Sequence, residues 1–500
     1  MHRPFLRPLA LIVFTVLASF TIAQQPALHD KAKVALDQRI LEDSKKGSEI
    51  LKNLTYLSDT IGPRLTGSSN LKRATEWGAA KMKEYGLADV HFEPWTIPEG
   101  WQRGHAHAKL IDPDTGRTLS IASMGWSPGT GGKVEADVVM LKATKIEDLD
   151  AHKGKLKGVV VLSGPPVKLK SLEETAKPDG SPTSAAVGGG FGGGGPKKSF
   201  EEFRAFQAAR ADFLVKEGVV AILQDAGKHF GLLFTTGSWG GKDRPSATNR
   251  IATASVAHNH YEMLWRLANR PEPARTRIEI DIDNRFIPGP IVVNNVIGEI
   301  KGSEKPDEFV VIGAHLDSWD LGQGTTDNGT GTCIVLETAR LLARCGTPPR
   351  RTIRFCLFTG EEQGLHGSQE YCKMHKEEMP RTSVCIVHDT GTGKVIGLGS
   401  GSNPSAQALL ESELVSLKEI GLKDFTTRPG GGSDHVSFAK AGVPGFALKQ
   451  EVATYRFTHH SQADTLDRAQ ELDLIQGAQV MAVSAMRIAN LQDLLAREKK

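Results

Sequence analysis

From about residue 30 the chain opens in a helical pattern. Ile50, Leu51, Leu54 and Leu57 fall on one face behind a candidate cap at Ser48, and Gly62-Pro63 breaks the periodicity. A second helix is expected from about Asn70 to Tyr85, with Gly86 placed to close it, and Val90 to Trp95 then alternates like a strand. Between about 128 and 285 the pattern shortens. Brief apolar runs at Val138 to Leu141, Val159 to Leu162 and Val219 to Leu223 are separated by glycine-bearing loops, and the tract 188–195 is too poor in apolar side chains to pack a core. From about 290 the periods sort cleanly. Phe309 to Gly313 is apolar throughout, as a strand buried on both faces must be. It is followed by a helix (Thr332 to Ala343), a strand (Thr352 to Phe358), a helix (Gly367 to Lys376), a strand (Val384 to Val387), a helix (Ser405 to Ile420) and a strand near Phe446 to Leu448. Strands alternating with helices at this spacing predict an α/β fold, a mainly parallel doubly wound sheet covered on both faces.

Each predicted strand ends in a group able to bind metal, and the carboxyl ends of such strands are where ligands collect. The first delivers His315 and Asp317, the second Glu361 and Glu362, the third His388 and Asp389. Asp327 lies in the loop opening the next helix, and His459 and His460 follow the last strand. Imidazole and carboxylate suit a borderline ion such as zinc, whereas thiolates would mark a structural site. A carboxylate on a loop between the others can bridge two ions roughly 3.5–4 Å apart, an arrangement suited to amide hydrolysis. Adjacent glutamates offer one ligand and one base for the attacking water, and Asp317 can accept the proton on the free nitrogen of His315.

Composition narrows the class. At 500 residues two or three units are expected, and a net charge of +3 with no block of either sign gives no ground for nucleic-acid or anionic-membrane binding. Arg3 and Arg7 precede an apolar run from Leu9 to Ile22, and Thr21 and Ala23 are small, so residues 1–23 read as a signal peptide and the mature chain is exported, secreted or periplasmic. The five cysteines, Cys333, Cys345, Cys356, Cys372 and Cys385, match no zinc motif, and their pairing stays open. Other candidates take plainer readings. His105/His107 and His258/His260 place two imidazoles on one strand face without a third ligand. His366, His375 and His435 are expected at the surface or in loops, and His388 as a bystander. Ser433-Asp434-His435 lacks the elbow of a nucleophile, and Pro196 rules the glycine tract out as a phosphate loop.

The runs Gly313 to Asp320, Thr326 to Gly329, Thr359 to Gly364, His388-Asp389 and His459 to Thr465 resemble the M28 family of co-catalytic zinc peptidases. Ile61 to Ser68 resembles a signature of its carboxypeptidase Q branch. The resemblance implies a zinc-exopeptidase fold in two pieces, 24–127 and 286–500, around an inserted β-rich protease-associated domain at 128–285. It implies two Zn2+ per chain: His315 and Asp389 on one, Glu362 and His460 on the other, Asp327 bridging. Glu361 would be general base and then acid, and Asp317 would orient His315. A cis peptide is implied at Asp327-Asn328, where Asn328 stands in place of that branch's second aspartate. The same likeness implies exopeptidase action on short peptides or dipeptides, and a homodimer. Two rivals share the scaffold: a glutaminyl cyclase with a single zinc, and a non-catalytic binding module.

Overall fold

A computed structural model describes residues 31–172, 200–240, 249–271, 273–399, 403–426, 432–451 and 454–497. Residues 1–23, expected to be a signal peptide, and the glycine tract 188–195 lie outside them. The described residues form a mixed α/β structure around two eight-stranded sheets.

The first sheet runs in the order Ala88–Gln102, Arg285–Ile300, Arg351–Phe358, Lys305–His315, Thr382–Val387, Gly445–Gln450, Val395–Gly399 and Asp424–Thr426. Its four central strands, from Arg351–Phe358 to Gly445–Gln450, are parallel. Toward the margins the pairing turns antiparallel, at Arg285–Ile300 with both neighbours and at Val395–Gly399 with Gly445–Gln450. The centre is buried on both faces, which explains its unbroken apolar sequence. Val310, Ile312 and Ala314 pack in one core with Leu336 and Ala339 of the Thr330–Arg344 helix and Met481 and Ala485 of the Glu471–Ala489 helix. Val311 turns the other way, into a second core with Phe358, Tyr371 and Phe438.

The early helices differ from expectation in detail. Ile50–Thr55 widens into a π-type turn at Tyr56–Ile61 before Gly62, and Ser48 Oγ accepts the Ile50 N–H at 3.2 Å. Ser69–Glu84 follows as expected and closes at Gly86. The predicted helix from Ser405 to Ile420 is two pieces, Pro404–Glu413 and a 3-10 turn at Val415–Ile420.

The second sheet orders Thr118–Leu119, Ala106–Asp112, Arg277–Ile282, Val134–Met140, Val160–Leu162, Ala221–Asp225, Ala252–Val256 and Ile121–Ser123. It starts at Ala106, upstream of the expected boundary at 128. Ala106–Asp112 buries only Ala108 and Leu110, so its alternation is faint in sequence. The lobe also carries the Phe200–Glu217 and His258–Ala268 helices. His258 and His260 therefore stand on a helix rather than a strand. His258 bonds Asp225 at 2.9 Å, and His260 accepts the Ser120 N–H. His105 faces Asp281 at 3.3 Å. The two lobes are joined by an antiparallel ribbon, Ala88–Gln102 on Arg285–Ile300, whose last pair is Gln102 with Arg285. The chain thus leaves for the second lobe and returns from it side by side. Among the described residues no helix is long and apolar enough to cross a membrane, and all five cysteines are free and buried.

Candidate metal centre

The site gathers at the carboxyl ends of the parallel strands. His315 is the last residue of its strand. Glu361 and Glu362 follow Arg351–Phe358 across Thr359-Gly360. That turn needs glycine, because Gly360 has φ +74° and a Cβ there would sit 2.5 Å from the Trp95 ring. His388-Asp389 follows Thr382–Val387. Asp327 lies in the Thr325–Gly329 turn ahead of the Thr330–Arg344 helix, with a cis bond to Asn328. His460 follows the helical turn Tyr455–Thr458 with φ +55°, a left-handed conformation uncommon outside glycine.

These side chains converge in two groups around Asp327. On one side His315 Nε2 lies 3.1 Å from Asp389 Oδ1 and 3.4 Å from Asp327 Oδ1. On the other, His460 Nε2 lies 2.9 Å from Glu362 Oε2 and 3.4 Å from Asp327 Oδ2. His459 stacks on His460 at 3.8 Å but reaches Asp327 only at 4.0 Å. His388 is buried behind the site, and burial holds its imidazole down at about 3, in keeping with a bystander.

Asp317 works differently from the expectation. Its backbone carbonyl, not its carboxylate, meets His315 Nδ1 at 3.0 Å, while Oδ1 is 3.7 Å away and too far for a hydrogen bond. The carboxylate instead accepts from Thr66 Oγ1 at 3.0 Å and from the Glu361 and Glu362 N–H groups at 3.3 and 3.2 Å. It fixes the turn that carries both glutamates.

Several supports were given no role by sequence reasoning. Asp464 accepts from Thr326 Oγ1 at 2.8 Å and from the Asp327 N–H at 3.3 Å, so it braces the turn that presents Asp327. The buried Arg64 guanidinium donates to the carbonyls of Leu316, Gln323 and Gly324, stitching together the loop between His315 and Asp327. Asn328 donates from Nδ2 to the His388 carbonyl at 2.8 Å and accepts the Gly331 N–H at 2.9 Å. A carboxylate could make only the second of these bonds. The second lobe contributes as well. Phe234 stacks on His460 with centroids 5.4 Å apart, the Thr235 N–H donates to the His460 carbonyl at 3.1 Å, and Lys228 donates to the Arg456 carbonyl. The only hint of this in sequence was the aromatic itself.

Of the three histidines expected at the surface or in loops, His375 lies in the turn after the His366–Met374 helix, His366 opens that helix half-buried, and His435 is buried in a helix. His366 packs against the Trp239 and Trp95 rings at 4.7 and 5.7 Å. His375 bridges Glu93 and Glu378. His435 is buried, and burial lowers it to about 4. Asp434 beside it is fully buried, and burial raises its carboxyl to about 7.

The electrostatics are those of too many buried acids for the cations present. Burial pushes Glu361 and Glu362 well above the usual carboxylate range and raises Asp389. Burial likewise drives His460 down to about 4. Burial works against a charged His315, yet Asp389 and Glu361 lift it well above its ordinary value. Asp327 stays low despite burial, held by the His315 hydrogen bond and the charges of His460 and His459. Asp327 Oδ2 and Glu362 Oε1 are buried without a hydrogen-bond partner. Two clusters, Asp327 with His315 and Asp389 and Asp327 with His459 and His460, bring ligand atoms within 4.8 Å of one another. Nitrogen and oxygen donors, orphaned carboxylate oxygens and surplus negative charge fit a divalent cation.

Comparison with known proteins agrees with this chemistry. Residues 295–485 match the model of peptidase family M28. Carboxypeptidase Q of Bos taurus is 30% identical over 447 residues, covering 89% of this chain and 86% of its own. The crystal structure of a peptidase M28 precursor from Shewanella amazonensis superposes with a TM-score of 0.75 at 25% identity, over 94% of this chain and all of that one. The zinc aminopeptidase BSAP of Bacillus subtilis shares the fold at a TM-score of 0.59 and 20% identity, over 87% of this chain and 93% of that one. The buried histidine–carboxylate centre and this likeness along nearly the whole chain lead to one conclusion: the protein belongs to peptidase family M28 and is a metallopeptidase, a hydrolase.

Proposed function

We propose that the protein is an exported exopeptidase that uses two zinc ions to release terminal residues from dipeptides and other short peptides. One observation carries the reading: the two oxygens of Asp327 face different partners, Oδ1 toward His315 and Oδ2 toward His460. A carboxylate so divided suits a bridge. His315 and Asp389 would hold one ion, and Glu362 and His460 the other. Bound there, the pair would supply Lewis-acid polarisation of the scissile carbonyl and a more acidic water.

The remaining work falls to the chain. Glu361, beside Glu362 on the turn held by Asp317, is the glutamate of the pair left for proton transfer. It takes a proton from the attacking water as the carbon–oxygen bond forms. It returns that proton to the amine nitrogen as the carbon–nitrogen bond breaks. Its raised pKa suits a group that must be both base and acid. Export rests on Arg3, Arg7 and the apolar run that follows them. The second lobe fits the role of a protease-associated insertion, since the ribbon ending at Gln102 and Arg285 returns the chain to where it left.

The test is metal content read together with hydrolysis. Purified protein should carry two zinc ions per chain, cut dipeptides, and lose activity to a chelator until zinc is restored. A single zinc would favour the cyclase-type reading, and failure to cut any peptide under any metal condition would sink the exopeptidase one.

A further inference from the structure

The two halves of the metal centre are supported from different parts of the molecule. At His315 the supports come from the first lobe: Nδ1 meets the Asp317 carbonyl at 3.0 Å, and the His315 carbonyl accepts the Thr332 hydroxyl at 3.0 Å. At His460 they come from across the lobe boundary. The Thr235 N–H donates to the His460 carbonyl at 3.1 Å, the Leu233 N–H donates to Gln462 Oε1 at 2.8 Å, and the Phe234 ring stacks on the imidazole. The His460 ring also lies 5.8 Å from that of Trp319, which meets Trp126 of the second lobe edge-on at 6.5 Å. A ligand held in this way is placed only as well as the second lobe is docked.

One side chain fastens the docking. Arg103 follows Gln102, the last paired residue of the ribbon, and so stands where the chain crosses into the second lobe. A guanidinium has five N–H donors, and here all five find acceptors. Nε and Nη2 meet Asp320 Oδ2 and Oδ1 at 3.0 and 2.6 Å, the fork-to-fork geometry that fixes orientation as well as distance. The second Nη2 hydrogen goes to Thr235 Oγ1 at 3.2 Å, and Nη1 serves the carbonyl and the hydroxyl of Ser123. Asp320 belongs to the first-lobe loop between His315 and Asp327, whereas Ser123 and Thr235 belong to the second lobe. The cation lies over the Trp101 ring at 5.0 Å, and the Arg103 and Asp320 side chains are each 14% exposed, so water competes weakly for either. One group therefore grips both the neighbour of Trp319 and the residue whose N–H holds His460. Lysine has three donors on a point charge and cannot form the fork.

We propose that Arg103 is a positioning residue of the peptidase: it locks the second lobe onto the first and, through Thr235 and Trp319, holds His460 in ligating geometry. The Glu362–His460 half of the centre is complete only in the locked state, while the His315–Asp389 half stands on the first lobe. The inference rests on the two-zinc reading and adds to it that the two ions depend unequally on lobe docking.

The test titrates the metal-free full chain with zinc against a graded series of chelators, with His460→Ala as the reference that assigns the His460-side ion. Hydrogen exchange of the Thr235 amide is followed on the same metal-free samples. Arg103→Lys breaks the fork and keeps the charge; Asp320→Asn breaks it from the other lobe with the shape unchanged, so the test survives if one variant folds poorly. Each should weaken the His460-side zinc by at least about tenfold and move the other by less than about twofold. Each should also speed Thr235 exchange before any metal is added. In Arg103→Ala, ethylguanidine should restore much of the lost affinity and protection, whereas ethylammonium at the same concentration should not, a distinction to which a simple loss of packing is blind. Equal weakening of both ions, or unchanged affinities with Thr235 still protected, overturns the lock and leaves the two-zinc reading intact. A parent chain that binds a single zinc removes both.

Discussion

Two neighbouring glutamates of identical chemistry are given different work by what holds them. Glu362 is committed to His460 at 2.9 Å. Glu361 has no such partner, and burial raises its pKa strongly. Glu361→Gln keeps the shape and the Asp317 bonds to the backbone but cannot carry a proton. It should retain the full zinc content and lose about 10²–10⁴-fold in kcat. Atomic absorption on the same sample used for kinetics checks both halves, and near-parental turnover would remove Glu361 from proton transfer. Alone in the sequence the glutamate pair reads as ordinary surface charge; Glu361 was legible because imidazoles and carboxylates also stand at the neighbouring strand ends. Asp464 and Arg64 were not assigned. Their roles consist of hydrogen bonds to backbone atoms of the Asp327 turn and of the loop that precedes it, which no side-chain pattern encodes.

At the scale of elements, the central strands of the first sheet and the Thr330–Arg344 helix followed their periodicity, because each buries an apolar face, whereas the helix expected from Ser405 to Ile420 is broken and the Glu471–Ala489 helix was not read from sequence. The second lobe was harder. Most of its strands are short, and its first strand was hidden in the sequence Ala106–Asp112, where only Ala108 and Leu110 are buried and the flanking positions are mixed. That lobe nonetheless reaches the metal centre through Phe234, which stacks on His460, while the His460 backbone sits in a left-handed conformation. Phe234→Ala should leave His460 free to relax, weakening zinc at the Glu362 side by roughly 10–100-fold with little effect on the His315 side. Competition with a graded series of chelators separates the two. Uniform weakening or none would show that the stack does not orient the ligand.

A second element-scale device lies at the C-terminal end of the His366–Met374 helix. His375 at the end of the His366–Met374 helix bonds Glu93 at 2.6 Å and Glu378 at 2.9 Å, with Arg354 and Tyr371 packed beside it. Burial opposes its charge, but the Glu93 hydrogen bond and carboxylate raise its pKa above the ordinary 6.5. The folded protein therefore holds this proton more tightly than the unfolded chain. The stabilisation is complete below about pH 6.5 and is lost as pH climbs through the raised folded value. The Tm of the parent should fall as pH rises above about 6.5, and His375→Gln should flatten that part of the curve. An unchanged slope in the variant would assign the pH dependence to other groups.

At the scale of the whole molecule the first and last described helices, Lys31–Lys45 and Glu471–Ala489, are joined by contacts that no local pattern announces. Asp37, on the first described helix, meets Arg487 on the last, with Nε to Oδ1 at 3.0 Å and Nη2 to Oδ2 at 2.6 Å. Ser416 Oγ donates to the same carboxylate, and Gln479 reaches Ser44 Oγ at 2.7 Å a little further along. Asp37 is 1% exposed and Arg487 5%, so both charges are out of water. In sequence each reads as an ordinary charged position on a helix, which is why the pairing was invisible there. Coulomb attraction in such a place roughly balances the cost of burial, but removing Asp37 leaves the Arg487 guanidinium with only the more distant Glu413, at 3.7 Å, as counter-charge. Asp37→Ala should therefore cost about 3–5 kcal/mol of first-lobe stability, whereas Asp37→Leu combined with Arg487→Met should recover most of it. Because two lobes need not unfold together, the measurement is denaturant unfolding followed by hydrogen exchange on the Glu471–Ala489 helix rather than a single Tm. If the single variant costs under about 1 kcal/mol, the pair is solvated in solution, and the N-terminal helix is an accessory to the catalytic lobe rather than one of its walls.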